Sequence, residues 1–312
     1  GKPFIALYIQ LFAHDIGNLA KYNRSVDATF FENISIGVGE NGEELRVKGF
    51  FLEDEELHFS NRKPYVIYGY AAVPSGKTLS IDAGARIHFH ENSGIMIFEG
   101  ASLKAMGDFS EDPHLLEKEI IFEGDRLEPR FSEVPGQWGT IWLRPGSRSN
   151  VINHVTIKNA DIGIWTEGNF FQDSPSLSIS NSQIYNSAIS GLLARGSHII
   201  AENLVINNSG QSSLHLSQGG KYRFKQSTFT NYWNNGHRQY PAVLIENYVE
   251  TLADLLISDL VEASFSNCII YGNQDREFLV FEEEGAEFNF SLKNCLIKFE
   301  DQENAFQQFP NY

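Results

Sequence analysis

The feature that most constrains this chain is a repeat. Six segments share one template: His154-Val-Thr-Ile157-Lys-Asn159, Asn181-Ser-Gln-Ile184-Tyr-Asn186, Asn203-Leu-Val-Ile206-Asn-Asn208, Gln226-Ser-Thr-Phe229-Thr-Asn231, Asn267-Cys-Ile-Ile270 and Asn294-Cys-Leu-Ile297. Each has a polar amide or His, two residues, a large apolar anchor and then usually Asn two further on. The anchors are separated by 27, 22, 23, 41 and 27 residues, which are the lengths of one solenoid turn. The 41 is either two short turns or one turn with a long loop, and residues 234–261 supply the insertion. Asn recurs after the anchor because its short amide tolerates the left-handed backbone of a tight corner. On this reading Asn159, Asn186, Asn208 and Asn231 form a ladder of corners.

A second column carries the same periods. Thr140-Ile-Trp142-Leu-Arg144, Gly163-Ile-Trp165-Thr-Glu167, Gly191-Leu-Leu193-Ala-Arg195 and Ser213-Leu-His215-Leu-Ser217 superpose at steps of 23, 28 and 22 residues. Between the columns the chain is short alternating segments broken by Gly, Asn and Ser, the pattern of an all-β protein. Parallel strands lie ~4.8 Å apart, so equivalent positions stack on one another. The expected fold is a right-handed single-stranded parallel β-helix of roughly seven to nine coils over residues 63–312. Residues 1–62 do not repeat and are read as a small N-terminal β module that caps it. Residues 108–120 are read as a short helix or a loop leaving the coil, and residues 301–312 as a segment folding over the last coil.

The coils, the Asn corners and the segment Gly136-Gln-Trp-Gly-Thr-Ile-Trp-Leu-Arg-Pro-Gly146 resemble the pectate-lyase-like β-helix superfamily. Within it they are most similar to uncharacterised bacterial surface lipoproteins with a Gly-Gln-Trp-Gly-Gly-Ile type segment. The resemblance implies an exported protein of the bacterial cell surface or periplasm, with any lipid anchor outside this sequence. The opening at Gly1, without a charged n-region and apolar h-region, reads as a mature product. Enzymes of the superfamily use a basic residue beside calcium-holding carboxylates, or two carboxylates flanking a glycosidic bond. Here the lyase pattern Arg-x-Pro-x-x-Arg is absent, and Gly236-His237 is followed by Arg238 where the hydrolases have Gly.

Composition removes other classes. With 24 Phe, 12 Tyr and 4 Trp the chain carries too much apolar surface to stay disordered, and its net charge of −16 disfavours nucleic acid and anionic lipid. No run of 18 apolar residues is present to span a membrane. Gly37-Val-Gly39-Glu-Asn-Gly42 matches a dinucleotide fingerprint, but an alternating strand follows where a helix is required, so it reads as a hairpin turn. His88 and His90 alternate on one strand face and could hold a metal with a third ligand, though such lone pairs are more often surface or structural. No metal or other cofactor is assigned. Cys268 and Cys295 occupy one column one coil apart; free buried thiols fit them, and a disulfide would have to meet a demanding dihedral.

The candidate site comes from strand parity. If Ile141, Ile164, Leu192 and Leu214 point inward, then Trp142, Trp165, Leu193 and His215 point outward, with Arg144, Glu167, Arg195 and Ser217 beside them. Indole faces suit sugar CH groups, and guanidinium forks suit carboxylates. The expected function is therefore non-catalytic binding of a glycan or other surface component by Trp142, Arg144, Trp165, Glu167, Arg195 and His215. One alternative is a polysaccharide lyase or hydrolase whose divergent site uses Arg144, Glu167, Arg195 and His215. Another is an adhesin-like structural protein, in which the charges only stabilise coil pairing and a loop or the N-terminal module covers the rings.

Overall fold

The computed structural model describes residues 5–7, 32–38, 43–112, 114–168, 174–251 and 254–299. The chain forms a right-handed parallel β-helix whose coils lay down three long sheets. Sheet I runs from the end of Glu44–Phe51 through Tyr70–Val73, Gly94–Ile97, Trp138–Leu143 and Ala160–Glu167, continues through the first parts of Ser190–Ser209 and Leu214–Lys225, and ends with Val243–Glu246 and Phe278–Phe281. Sheet II extends from His58–Phe59 to Phe288–Lys293, and sheet III from Tyr65–Ile67 to Leu296–Ile297. Each sheet has nine parallel strands among the described residues, which makes nine coils.

The repeat register seen in the sequence is the ladder register. Ile157 pairs with Ile184, Ile184 with Ile206, Ile206 with Phe229, and Phe229 with Ile270. These five anchors are 1% exposed or less and form one apolar column inside the coil. Because Phe229 and Ile270 are direct neighbours, the 41-residue step is a single turn. Its extra length lies on either side of the sheet I strand Val243–Glu246: residues 232–242 before it and, after it, an antiparallel hairpin of Tyr248–Glu250 with Leu255–Ile257 before Leu260–Ser266 rejoins sheet II.

Two columns of corners turn each coil. Asn159, Asn186 and Asn208 are left-handed, as expected, but Asn231 is not. Asn231 instead spends its amide on the neighbouring coil, with Nδ2 donating to the carbonyls of Ser209 and Gln211 at 2.9 Å and Oδ1 accepting from the Ser209 N–H at 3.1 Å. The first position of the template, read in the sequence only as a polar residue, is the other corner. His154, Asn181, Asn203, Gln226, Asn267 and Asn294 all have φ between 49° and 55°. A left-handed non-glycine residue costs about 1–2 kcal/mol, least for Asn. Side-chain ladders offset part of that cost: Asn203 Nδ2 donates to Asn181 Oδ1, and Asn181 Nδ2 to Asn153 Oδ1, each at 2.9 Å.

Parallel pairing reaches further toward the N-terminus than residue 63, since Gly49–Phe51 lies beside Tyr70–Ala72 and His58–Phe59 beside Ser80–Ile81. Ahead of it, Glu32–Val38 pairs antiparallel with Glu44–Phe51. The segment with the dinucleotide-like glycines therefore joins two strands of a hairpin, although residues 39–42 lie outside the described residues. Between Met106 and Ile120 the described residues form turns and no α-helix, so the loop reading of that stretch holds there. The segment 301–312 lies outside the described residues.

A buried ion pair fixes the long turn. Arg238 and Glu277 are 4% and 0% exposed, and Arg238 Nη1 and Nη2 reach the two Glu277 oxygens at 2.8 and 2.6 Å. The remaining lone pairs of Glu277 take the N–H groups of Ala242 and Gln274 at 2.8 Å, and Arg238 also donates to the carbonyls of Tyr240 and Asn231. Removing one member strands a buried charge, which costs about 3–5 kcal/mol. Glu277→Ala is accordingly expected to lower the urea-unfolding free energy by that amount, whereas Lys225→Ala, which removes an exposed pair with Glu202, is expected to cost under about 1 kcal/mol.

Candidate functional site

The six expected residues lie together on the outer face of sheet I. Trp142 pairs in register with Trp165, Trp165 with Leu193 and Leu193 with His215; one pleat on, Glu167 pairs with Arg195 and Arg195 with Ser217. Outward alternation therefore holds through these strands. It fails for Trp138, which shares the parity of Trp142 but is 1% exposed inside the coil, stacked on Phe89 at 4.3 Å with its Nε1 donating to the Lys158 carbonyl. The ladder register slips between Thr140 and Ile141, and such a slip breaks the facing of everything before it.

The two outer indoles stack on each other, with ring centroids 4.3 Å apart and planes 6° from parallel. The Arg144 guanidinium lies 4.7 Å from the Trp142 ring centre, and that of Arg195 lies 5.5 Å from Trp165. Trp142 Nε1 donates to Glu167 Oε2 at 2.7 Å. Trp142 faces away from the coil yet is only 6% exposed, because Ile34, Ile36 and Val47 of the N-terminal hairpin pack with Ala72, Met96 and Trp142 in a second apolar cluster. Trp142 is thus a packing residue, while Trp165 stays half-buried at the edge of the cluster.

Arg144 and Arg195 differ from Lys158, His215 and Arg223, which pair with Glu123, Glu246 and Glu262. Neither makes an ion pair or a side-chain hydrogen bond among the described residues, and Arg144 Nη1, Arg195 Nε and Trp165 Nε1 are buried donors without an acceptor there. Burial pulls the Arg144 guanidinium below its usual range, opposed by the charge of Glu167. His215, by contrast, is engaged: its Nε2 lies 2.8 Å from Glu246 Oε2.

A second feature was not singled out in the sequence. Where the hairpin meets the start of sheet I it borders a cleft of about 520 Å³ lined by Lys48, Tyr68, Tyr70, His90, Glu91 and Asp161, among others. Tyr70 lies flat across the sheet because Gly94 and Gly139 leave room for it: a Cβ on Gly94 would stand 2.7 Å from the Tyr70 ring, and one on Gly139 would overlap its hydroxyl. Burial pushes the Tyr70 phenol up to about 12, with a smaller push from Asp161. Burial, and then the charge of Glu91, raises the Asp161 carboxyl. His90 Nδ1 is 2.8 Å from Asp125 Oδ2, and its ring lies 4.6 Å from that of Tyr68. The signal for this cleft was dispersed: its side chains come from three coils and the hairpin, and only the glycines opposite Tyr70 hint at it.

His88 and His90 have separate carboxylate partners. His88 is buried with its Nδ1 3.5 Å from Glu123, His90 is paired with Asp125, and no group of three metal-ligating side chains forms among the described residues. Cys268 and Cys295 are free, the first buried and the second half-buried, and burial pushes the Cys268 thiol up. No helix among the described residues is long and apolar enough to cross a membrane.

No protein-family model matches the chain, and no curated protein does. Among solved structures it is similar to the A-module of mannuronan C-5 epimerase AlgE4 from Azotobacter vinelandii, with a TM-score of 0.43 and 14% identity; the match covers 74% of this chain and 59% of that one.

The raised Asp161 carboxyl has a consequence for stability. The folded state holds this proton to higher pH than the unfolded chain does, so from about pH 4 upward the unfolded state binds fewer protons and stability falls as pH rises. Asp161→Asn removes that penalty. The variant is expected to melt higher than wild type at pH 7, with the two converging toward pH 3.5 in thermal scans followed by circular dichroism.

Proposed function

We propose that the protein is an exported, non-catalytic binder of an acidic glycan, which it holds on the outer face of sheet I. The observation that carries this reading is the pair Arg144 and Arg195. In a chain of net charge −16, two half-buried guanidiniums are held against indole rings and have no acidic partner within ion-pair distance among the described residues. A guanidinium left unpaired at half burial forgoes the hydrogen bonds that stabilise such groups, and a carboxylate fits its fork with two parallel bonds. The ring contacts fix both side chains in advance, so less freedom is lost when a ligand arrives.

Within this reading the six residues divide their work. Arg144 and Arg195 hold the anionic group, and the half-buried Trp165 offers its ring to the sugar. Trp142 supports Arg144 and Trp165 from beneath, and Glu167 fixes the Trp142 indole. His215, set by Glu246, borders the same row. A histidine oriented by a carboxylate is the one observation that favours the lyase or hydrolase alternative, so turnover is assayed on the same samples as new reducing ends and as unsaturated uronate absorbance.

Three polymers test the proposal: polygalacturonate, dextran sulfate and neutral dextran. By affinity electrophoresis or calorimetry, polygalacturonate is expected to bind in a salt-sensitive manner and plain dextran far more weakly. Arg144→Ala and Arg195→Ala are each expected to weaken binding about tenfold or more, the value of one charged hydrogen bond, with melting unchanged within a few degrees. Binding of dextran sulfate alone would assign the site to sulfated sugars. If wild type binds neither anionic polymer, or binds them equally well without the two arginines, the reading fails.

A further inference from the structure

We propose that the cleft between the N-terminal hairpin and the start of sheet I is a second saccharide subsite, one that takes an uncharged, hydroxyl-bearing sugar ring. It extends the glycan reading to residues that neither Arg144 nor Arg195 touches.

The lining explains the choice of ligand. Asp161 and Glu91 present carboxylates, which only accept hydrogen bonds; Lys48 only donates; Asn92 and the Tyr70 hydroxyl do both. A sugar hydroxyl is donor and acceptor at once, so neighbouring hydroxyls on one ring satisfy such a mixed wall. Phosphate or carboxylate would be repelled by Asp161 and Glu91, and a bare cation would meet Lys48. The volume, about 520 Å³, is ample for a sugar ring with its water. Tyr68 and His90 supply aromatic surface for the apolar CH side of the ring, and the Asp125 carboxylate fixes the His90 imidazole through Nδ1 at 2.8 Å.

Asp161 is the most telling member. Its side chain is half-buried and has no hydrogen-bond partner among the described residues, so the fold gains nothing from its charge. Tyr70, packed against the Ile34 and Met96 cluster and seated by Gly94 and Gly139, forms the floor of the cleft. A carboxylate kept where it costs stability, beside a phenol seated by two glycines, is the arrangement expected of a site built for binding.

The two sites lie on one strand. Asp161 and Glu167 belong to Ala160–Glu167, and six residues at ~3.3 Å each place the cleft about 20 Å from the Arg144 and Arg195 row. A short oligosaccharide can span that distance. If both sites act on one molecule, it is a polymer with acidic and neutral units.

The test uses the full chain and four neutral hexasaccharides: cello-, manno-, xylo- and maltohexaose. Saturation-transfer NMR and calorimetry are expected to detect binding of at least one. Asp161→Asn and Glu91→Gln should each weaken it about fivefold or more, and Tyr68→Ala should remove the transfer to the axial CH protons. Lys225→Ala, on the outer face of sheet II, should change nothing, and circular dichroism melts confirm that each variant folds. The proposal is overturned if none of the four sugars binds, or if binding persists unchanged in both carboxyl variants. Because these probes carry no charge, that failure is distinct from a failure of polygalacturonate to bind at Arg144 and Arg195.

Discussion

Everything in this molecule depends on in-register stacking of the coils. Each strand hydrogen-bonds to its equivalents one coil before and one coil after, so a residue type placed once tends to be repeated at ~4.8 Å. Inside, this makes columns such as Ile157, Ile184, Ile206, Phe229 and Ile270, in which every side chain is covered by the next. At the corners it lines up His154, Asn181 and Asn203, and the amides of Asn153, Asn181 and Asn203 bond along the axis. Outside, it lays Trp142 on Trp165 at 4.3 Å. The same constraint shapes core, corners and surface.

Charge divides into groups that serve the fold and groups that do not. Arg238 and Glu277 are fully engaged and pin the long turn to the coil. Lys158 with Glu123 and His215 with Glu246 are likewise paired across neighbouring strands. Arg144, Arg195 and Asp161 are half-buried too, but have no partner of opposite charge within ion-pair distance among the described residues. Desolvation without compensation is a cost, and this face carries three instances of it.

The N-terminal hairpin changes the meaning of that face. By laying Ile34, Ile36 and Val47 on the outer side of sheet I, it turns Trp142 from a displayed ring into a packed one and leaves Trp165 at the margin. The same hairpin, through Val47 and Lys48, walls the cleft whose other side is Tyr68, Tyr70 and His90. One small module thus both closes part of an aromatic track and builds a concave site from a convex sheet.

The sequence by itself determined the coil, its register and its facing, because a parallel ladder forces identical spacing in every column and alternation then separates inside from outside. Trp142, Trp165, Arg144, Glu167, Arg195 and His215 could be placed on one face for that reason alone. Tertiary structure decided what each of them touches. Trp138 is inside because the register slips by one residue near Thr140. Trp142 is covered because a hairpin far away in sequence folds back over it. The cleft exists because Lys48, Tyr70, His90 and Asp161, on the hairpin and three separate coils, meet at one edge of sheet I. Periodicity reports contacts that repeat; a site assembled from residues that occur once leaves no period to read.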